Sequence, residues 1–294
     1  MGEKMMVEEN YLCKFRKIDA LRLYGGDTRE RNSDGGIGGN SKDPMYGDKD
    51  AYRTLNALLF EGVGNEQERI WVEGHKLNPD FIKRIEETVQ IYTDIFTLMK
   101  EEKEDFTDSV AGKRIDRASS VMYYENGVTQ SFFSSSKRGY DSEFAKKNGI
   151  VLIETKIISN VPFIDYEKIL TQKEYKNWEE REILLPPFLN IEMEKVSLTK
   201  AETKKVKDLN KKPPLGKYRL TTIEFPDYRK RISDSERVLW QQIMQGKETA
   251  AGLLEKMNEG DKTQDYKEYL FWKQKLQIYL KILFSQIWYG GGEG

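Results

Sequence analysis

Three short runs in this 294-residue chain carry side chains able to do chemistry together. The first is EEREILLPP (179–187), in which Glu180 and Glu182 open an apolar stretch. In a strand, residues i and i+2 point to the same face. A strand beginning near 180 therefore projects both carboxylates into one cleft, while Ile183 and Leu185 pack the other face. Like charges that close are unfavourable unless each has a partner or a task. The second run is IDRASS, where Arg117 sits among small residues and could clamp a diphosphate bidentately. The third is SFFSSS (131–136), a serine cluster behind an aromatic pair. A serine beside a carboxylate can hold it in one rotamer through a hydrogen bond. Each run alone also fits a plain reading: a solvated strand end, an edge arginine, and hydroxyls facing water.

Composition removes several other chemistries. One cysteine, Cys13, excludes a disulfide within the chain, and with one histidine, His75, it excludes a Cys/His zinc cluster. Any serine- or cysteine-histidine mechanism would depend on that single ring. His75 lies in a loop with no neighbouring Cys or His, and Cys13 reads as a small apolar residue. No metal is expected. Lys+Arg is 48 against Asp+Glu 49, a net charge of -1, so a dedicated nucleic-acid binder is disfavoured. No run of 18 apolar residues offers a membrane span, and MGEKMMVEEN is neither a signal peptide nor a myristoylation signal. The expectation is a cytoplasmic protein, or one delivered into a target cell by a leaderless route. GGIGGN (35–40) fails the dinucleotide register, which would need Gly at Ser41.

The elements that position these runs follow from periodicity. Residues 1–49 read as irregular, and residues 50–104 read as helices. Tyr52, Leu55, Leu58 and Leu59 share one face. A second helix opens at Asn78 and Pro79, with an apolar stripe at Phe81, Ile82, Ile85, Val89, Tyr92, Ile95, Phe96 and Met99. From 105 to 225 the period becomes two: RIDRASSVMYY, TQSFFSSS, IVLIETKII, REILLPPF, LNIEMEKVSL and KYRLTTIEF are strand-like. TKAETKKVKDLNKKPP (199–214) reads as a solvated hairpin loop. Residues 226–294 return to helix, with a capping box at Ser233 and Glu236. There Leu276, Tyr279, Leu280, Leu283, Phe284, Ile287 and Trp288 form an apolar face. It could pack internally, hold a partner or inhibitor protein, or lie on a membrane.

Arginine, then aromatic-x-Ser-x-Ser, then Glu-x-Glu before Ile-Leu-Leu-Pro resembles the mono-ADP-ribosyltransferases of the arginine–serine–glutamate class, typified by bacterial toxin exoenzymes. Phe132-Phe133-Ser134-Ser135-Ser136 stands where that family usually has aromatic-x-Ser-Thr-Ser. Glu180-Arg181-Glu182-Ile183-Leu184 matches closely. Asp116 and Ala118 flank Arg117 where the family has an aromatic residue and Gly, and Arg114 is a second candidate. The resemblance covers about residues 50–225, and YRTLNALL is similar to the helix that packs over the cofactor.

That resemblance implies an α+β fold: two packed, mostly antiparallel sheets with an N-terminal helical lobe, followed here by a C-terminal helical region. It implies NAD as substrate and transfer of ADP-ribose to protein arginine. Glu182 would be the catalytic carboxylate, Ser134 its support and Glu180 the residue facing the acceptor. Arg117, Ser134, Ser136, Phe132 and Arg138 would bind NAD, with Tyr140 and Phe144 on the neighbouring loop. Trp178 and Tyr175 would read the target protein. Other acceptors (nucleic acid or water) keep the same fold, and a non-catalytic phage or surface module is the competing class.

Overall fold

The computed structural model describes Lys17, Ile18, Ala20, Leu21, Tyr24 and Leu59, then residues 79–103, 110–116, 118, 121, 124–140, 149–158, 160–172, 178–231, 233–245, 247, 252, 253, 256 and 266–290. Cys13, the GGIGGN run, His75, Arg117, Phe144, Tyr175 and the side chain of Trp178 lie outside the described residues. The chain divides into two compact units, Glu101–Pro226 and Met1–Lys100 with Asp227–Gly294.

In the second of these, α1 (Pro79–Glu101) carries the later part of the expected stripe: Val89, Tyr92, Ile95, Phe96 and Met99 are buried, and Ile91 and Leu98 are buried beside them, while the side chains of Phe81, Ile82 and Ile85 lie outside the described residues. It packs on the long helix near the C-terminus, Tyr266–Tyr289, numbered α6 below. Phe96 stacks on Phe284 with ring centroids 4.5 Å apart and meets Trp288 edge-on at 6.4 Å. The apolar face expected on that helix is thus engaged through Phe284 and Trp288. Lys100 lies over the Trp288 ring and donates to its carbonyl. No described helix is long and apolar enough to cross a membrane.

Among the described residues the first unit holds seven strands: β1 (Val110–Asp116), β2 (Phe133–Ser136), β3 (Val151–Ile157), β4 (Ile164–Asp165), β5 (Glu182–Leu185), β6 (Asn190–Val196) and β7 (Gly216–Glu224). A short helix α2 (Tyr166–Ile169) follows β4, and α3 (Lys200–Asn210) lies between β6 and β7. Beyond the sheet come α4 (Tyr228–Arg231), α5 (Asp234–Met244) and α6. The α+β class is as expected. Where two packed sheets were expected, hydrogen bonding runs through one mixed sheet in the order β4-β5-β2-β1-β3-β7-β6. All neighbours are antiparallel except β3 and β7. Its narrowest join is β1 to β2, registered at Lys113↔Ser136, whereas β1 and β3 pair from Val110↔Ile157 to Asp116↔Val151.

Two sequence expectations are corrected here. RIDRASSVMYY is not one strand. β1 ends at Asp116, and Ala118, Val121 and Tyr124 are helical, with Val121 and Tyr124 buried one turn apart. The Lys-rich 199–214 run is not a hairpin loop, because most of it is α3. Thr199 and Glu202 cap each other reciprocally, and Val206 seats the helix on Ile115, Tyr140 and Leu152. The capping pattern T-x-x-E was in the sequence. Its apolar stripe was too short to show, since Val206 is the helix's one buried residue.

Candidate active site

The chemistry-bearing residues meet where β2 and β5 pair, from Phe133↔Leu185 to Ser136↔Glu182. Directly paired residues share a face, so Ser134, Ser136 and Glu182 lie on one side. Phe133, Ser135 and Ile183 lie on the other. Ser134 donates its hydroxyl proton to Glu182 Oε1 across the diagonal of the ladder. That bond fixes one carboxylate oxygen and the rotamer with it. Both side chains are half-buried, so the carboxylate remains open to a ligand. β5 can carry this polar group because the rest of it is sealed: Ile183, Leu184 and Leu185 are fully buried, and Pro186 ends the strand. Thr129 then ties the following turn, donating to the Pro186 carbonyl at 2.7 Å and accepting from Leu189 N–H at 2.9 Å.

Glu180 is placed differently from the expectation. The strand begins at Glu182, not near 180. Trp178–Glu180 form a 3-10 turn, and Arg181 sits at φ 48°, in the left-handed region. Strand alternation therefore does not set the direction of Glu180. The turn is instead held by the three residues that leave β2. Ser136 Oγ donates to the Glu180 carbonyl, Lys137 N–H donates to the Arg181 carbonyl at 3.0 Å, and Arg138 Nη1 donates to the Glu179 carbonyl at 3.2 Å. Three successive residues thereby take three successive carbonyls. Ser136 also accepts from Arg138 N–H at 3.1 Å, and Arg138 pairs with the Glu179 carboxylate at 3.0 Å.

Ser136 and Arg138, named above for NAD, thus staple the glutamate turn. Phe132 is buried at the head of β2. Arg114 alternates onto the face of Phe133, away from Ser134 and Glu182. Its Nε bonds Asp116 at 2.8 Å, its Nη1 donates to the Ser134 carbonyl at 3.1 Å, and it lies 5.1 Å from the Phe133 ring centroid. Tyr140, beyond the Gly139 turn (φ 86°), is buried, and Lys113 lies 5.2 Å from its ring centroid. Burial raises the Tyr140 hydroxyl far above the ordinary tyrosine value, with the negative charge of Glu154 and Glu202 adding to it.

Four residues were missed in the sequence. Lys137 donates to both Asp165 oxygens at 2.7 and 2.9 Å and pairs with Glu167, and Arg181 Nε reaches Glu167 Oε1 at 3.2 Å. Burial lowers the Lys137 pKa. Hydrogen bonds and charge from Asp165 and Glu167 outweigh that and leave it above the ordinary lysine value. These residues are far apart in sequence, and no local spacing announces them. Among the described residues no group of acidic, histidine or cysteine side chains is placed to hold a metal.

No protein-family model matches the chain, and no curated protein matches it. Solved structures do match. One is Plx2a, an ADP-ribosyltransferase toxin from Paenibacillus larvae: 14% identity, 71% of this chain and 86% of that one covered, TM-score 0.36. Another is the catalytic domain of VahC from Aeromonas hydrophila: 14% identity, 70% and 97% covered, TM-score 0.37. A third is BECa, an ADP-ribosylating toxin of a binary enterotoxin of C. perfringens, solved with NADH: 12% identity, 58% and 40% covered, TM-score 0.35. Two of these three are ADP-ribosylating toxins, and the chain is similar to each at 12–14% identity.

Proposed function

We propose that the chain is a mono-ADP-ribosyltransferase that takes NAD as substrate and modifies arginine on a target protein. The observation that carries this reading is the Ser134–Glu182 hydrogen bond, with Glu180 on a stapled turn two residues earlier. A carboxylate held in one rotamer is preorganised to oppose positive charge where it develops. Cleavage of the nicotinamide–ribose bond passes through an oxocarbenium-like state, as glycoside hydrolysis does. Nicotinamide leaves as a neutral group from a cation, so no general acid is required. A chain with one histidine can support that chemistry.

In this reading Glu182 bonds the ribose 2′-OH and stabilises the growing charge, and Ser134 keeps it aimed. Glu180 orients the acceptor guanidinium, a natural bidentate partner for a carboxylate. An arginine does not lose its proton beforehand, so Glu180 takes it as attack proceeds. In this reading Arg117 clamps the phosphates, with Arg114, which bonds Asp116 on the opposite face, as the second candidate. Such an enzyme would act in a cytoplasm that supplies NAD, its own or that of a cell it enters.

The test is transfer from labelled NAD to agmatine and to proteins of a cell lysate. Wild type should label both. Glu180→Gln should lose the label and keep nicotinamide release. Equal labelling by the two proteins would remove the role given to Glu180, and label on nucleic acid alone would replace arginine as the acceptor.

A further inference from the structure

We propose that a closed ring of charges around Arg181 fixes the direction of Glu180 and so decides whether ADP-ribose goes to a guanidinium or to water. This rests on the function proposed above and goes beyond it, because that function assigns no role to any ring residue. Arg181 separates the two candidate glutamates, and its left-handed backbone (φ 48°) is disfavoured for a residue with a Cβ. Such a conformation persists only where its surroundings over-determine it.

Here they form a loop. Lys137 N–H holds the Arg181 carbonyl, Lys137 Nζ holds Asp165 and Glu167, and Glu167 returns to Arg181 Nε at 3.2 Å. Two cations and two carboxylates balance in charge. Exposed single ion pairs contribute little, but this is a network with a buried anchor. Asp165 is 8% exposed, accepts from Glu167 N–H at 3.2 Å as the cap of α2, and lies on β4, which pairs with β5 at Asp165↔Ile183. The ring therefore ties the glutamate turn to the sheet from outside, while Ser136 and Arg138 hold it from the β2 side.

The consequence is selective. In either outcome the C1′–N bond of NAD breaks and its electron pair neutralises the nicotinamide nitrogen. With agmatine, a C1′–N bond forms and one guanidinium proton passes to Glu180 and then to solvent. With water, a C1′–O bond forms and the proton released goes to solvent. Bond cleavage needs Glu182, whereas the choice of nucleophile needs Glu180 in place. Loosening the ring should alter the choice and spare the cleavage.

The experiment uses the full chain with Lys137→Met, Glu167→Gln and, as a charge-keeping replacement, Lys137→Arg. NAD is supplied with and without agmatine, and ADP-ribosyl-agmatine and free ADP-ribose are quantified. Lys137→Met and Glu167→Gln should lower the ratio of agmatine product to free ADP-ribose by about tenfold, the scale of one lost charged hydrogen bond. Nicotinamide release without agmatine should stay near wild type, and Lys137→Arg should keep the wild-type ratio. Should Lys137→Met fail to fold, Glu167→Gln, which keeps the side-chain shape, carries the test alone. An unchanged ratio, or equal loss of both products, would overturn the proposal. Hydrogen exchange at the Lys137 amide gives a readout that needs no turnover. It should quicken in Glu167→Gln, and unchanged exchange would show that the ring does not hold the turn. A wild type that releases no nicotinamide would instead refute the function proposed above.

Discussion

Lys137 and Lys217 are both lysines set between two carboxylates on the same sheet, yet they serve different ends. Lys217 on β7 bonds Glu154 on β3 at 2.7 Å and Glu202 on α3 at 2.8 Å. Glu202 is also the capping-box residue of α3, bonding Thr199 N–H through its other oxygen at 2.9 Å. That cluster fastens a helix to a regular strand pair. Lys137 fastens a turn whose Arg181 is in an unfavourable conformation, next to the carboxylates proposed to act on substrate. The same chemistry supports stability where the backbone is regular and geometry where it is strained. Side-chain exposure separates them too, 9% for Lys217 against 25% for Lys137.

The comparison predicts its largest effect at Lys217. Lys217→Met leaves the part-buried Glu154 and Glu202 without their shared cation, and losing a charged hydrogen bond of this kind costs about 2 kcal/mol. Thermal unfolding should show that loss, with NAD cleavage per folded molecule unchanged. Lys137→Met should lose less stability and more transfer selectivity, and the reverse ranking would break the comparison. Ser134→Ala comes next. It should lower nicotinamide release by about tenfold, one charged hydrogen bond's worth, without shifting the melting temperature by more than a surface change does. Thr199→Ala removes one side of the capping box and should cost about 1 kcal/mol of stability. It should leave both NAD reactions alone.

The smallest effect is on pH dependence. Burial tends to raise Glu202, but Lys217 and the Thr199 bonds prevail and hold it below the ordinary carboxylate value. Its contribution is present above that ordinary value and is lost as pH falls through the lowered one. Burial likewise opposes the charge on Lys217, yet Glu154 and Glu202 raise it above the ordinary lysine value. Its contribution is present below the ordinary lysine value and fades as pH rises past the raised one. Stability measured in acid should therefore fall more steeply for wild type than for Lys217→Met. Parallel curves would show that the cluster is not the source.

What could be read from the sequence divides along the same line. The later part of the α1 stripe and the Ser233–Glu236 capping box rest on local spacing, and the structure shows both; the pairing of the serine and glutamate runs, 48 residues apart at Ser134 and Glu182, was implied only by the family resemblance. The Arg181 turn was hidden because nothing in Glu-Arg-Glu demands a left-handed residue. The ring around it was hidden because Lys137, Asp165 and Arg181 are brought together only by the β2–β5–β4 pairing. The single mixed sheet was likewise out of reach, since the one registered pair joining β1 to β2, Lys113↔Ser136, is a matter of geometry rather than composition.

The most direct test of the central claim is nicotinamide release from NAD by the purified chain, wild type beside Glu182→Ala. Removing one preorganised charge-stabilising group typically costs a factor of about 100 to 1,000 in rate. The account predicts measurable release by wild type and a loss of that order in the variant. No release from wild type with lysate supplied as acceptor, or equal release by both proteins, would contradict it.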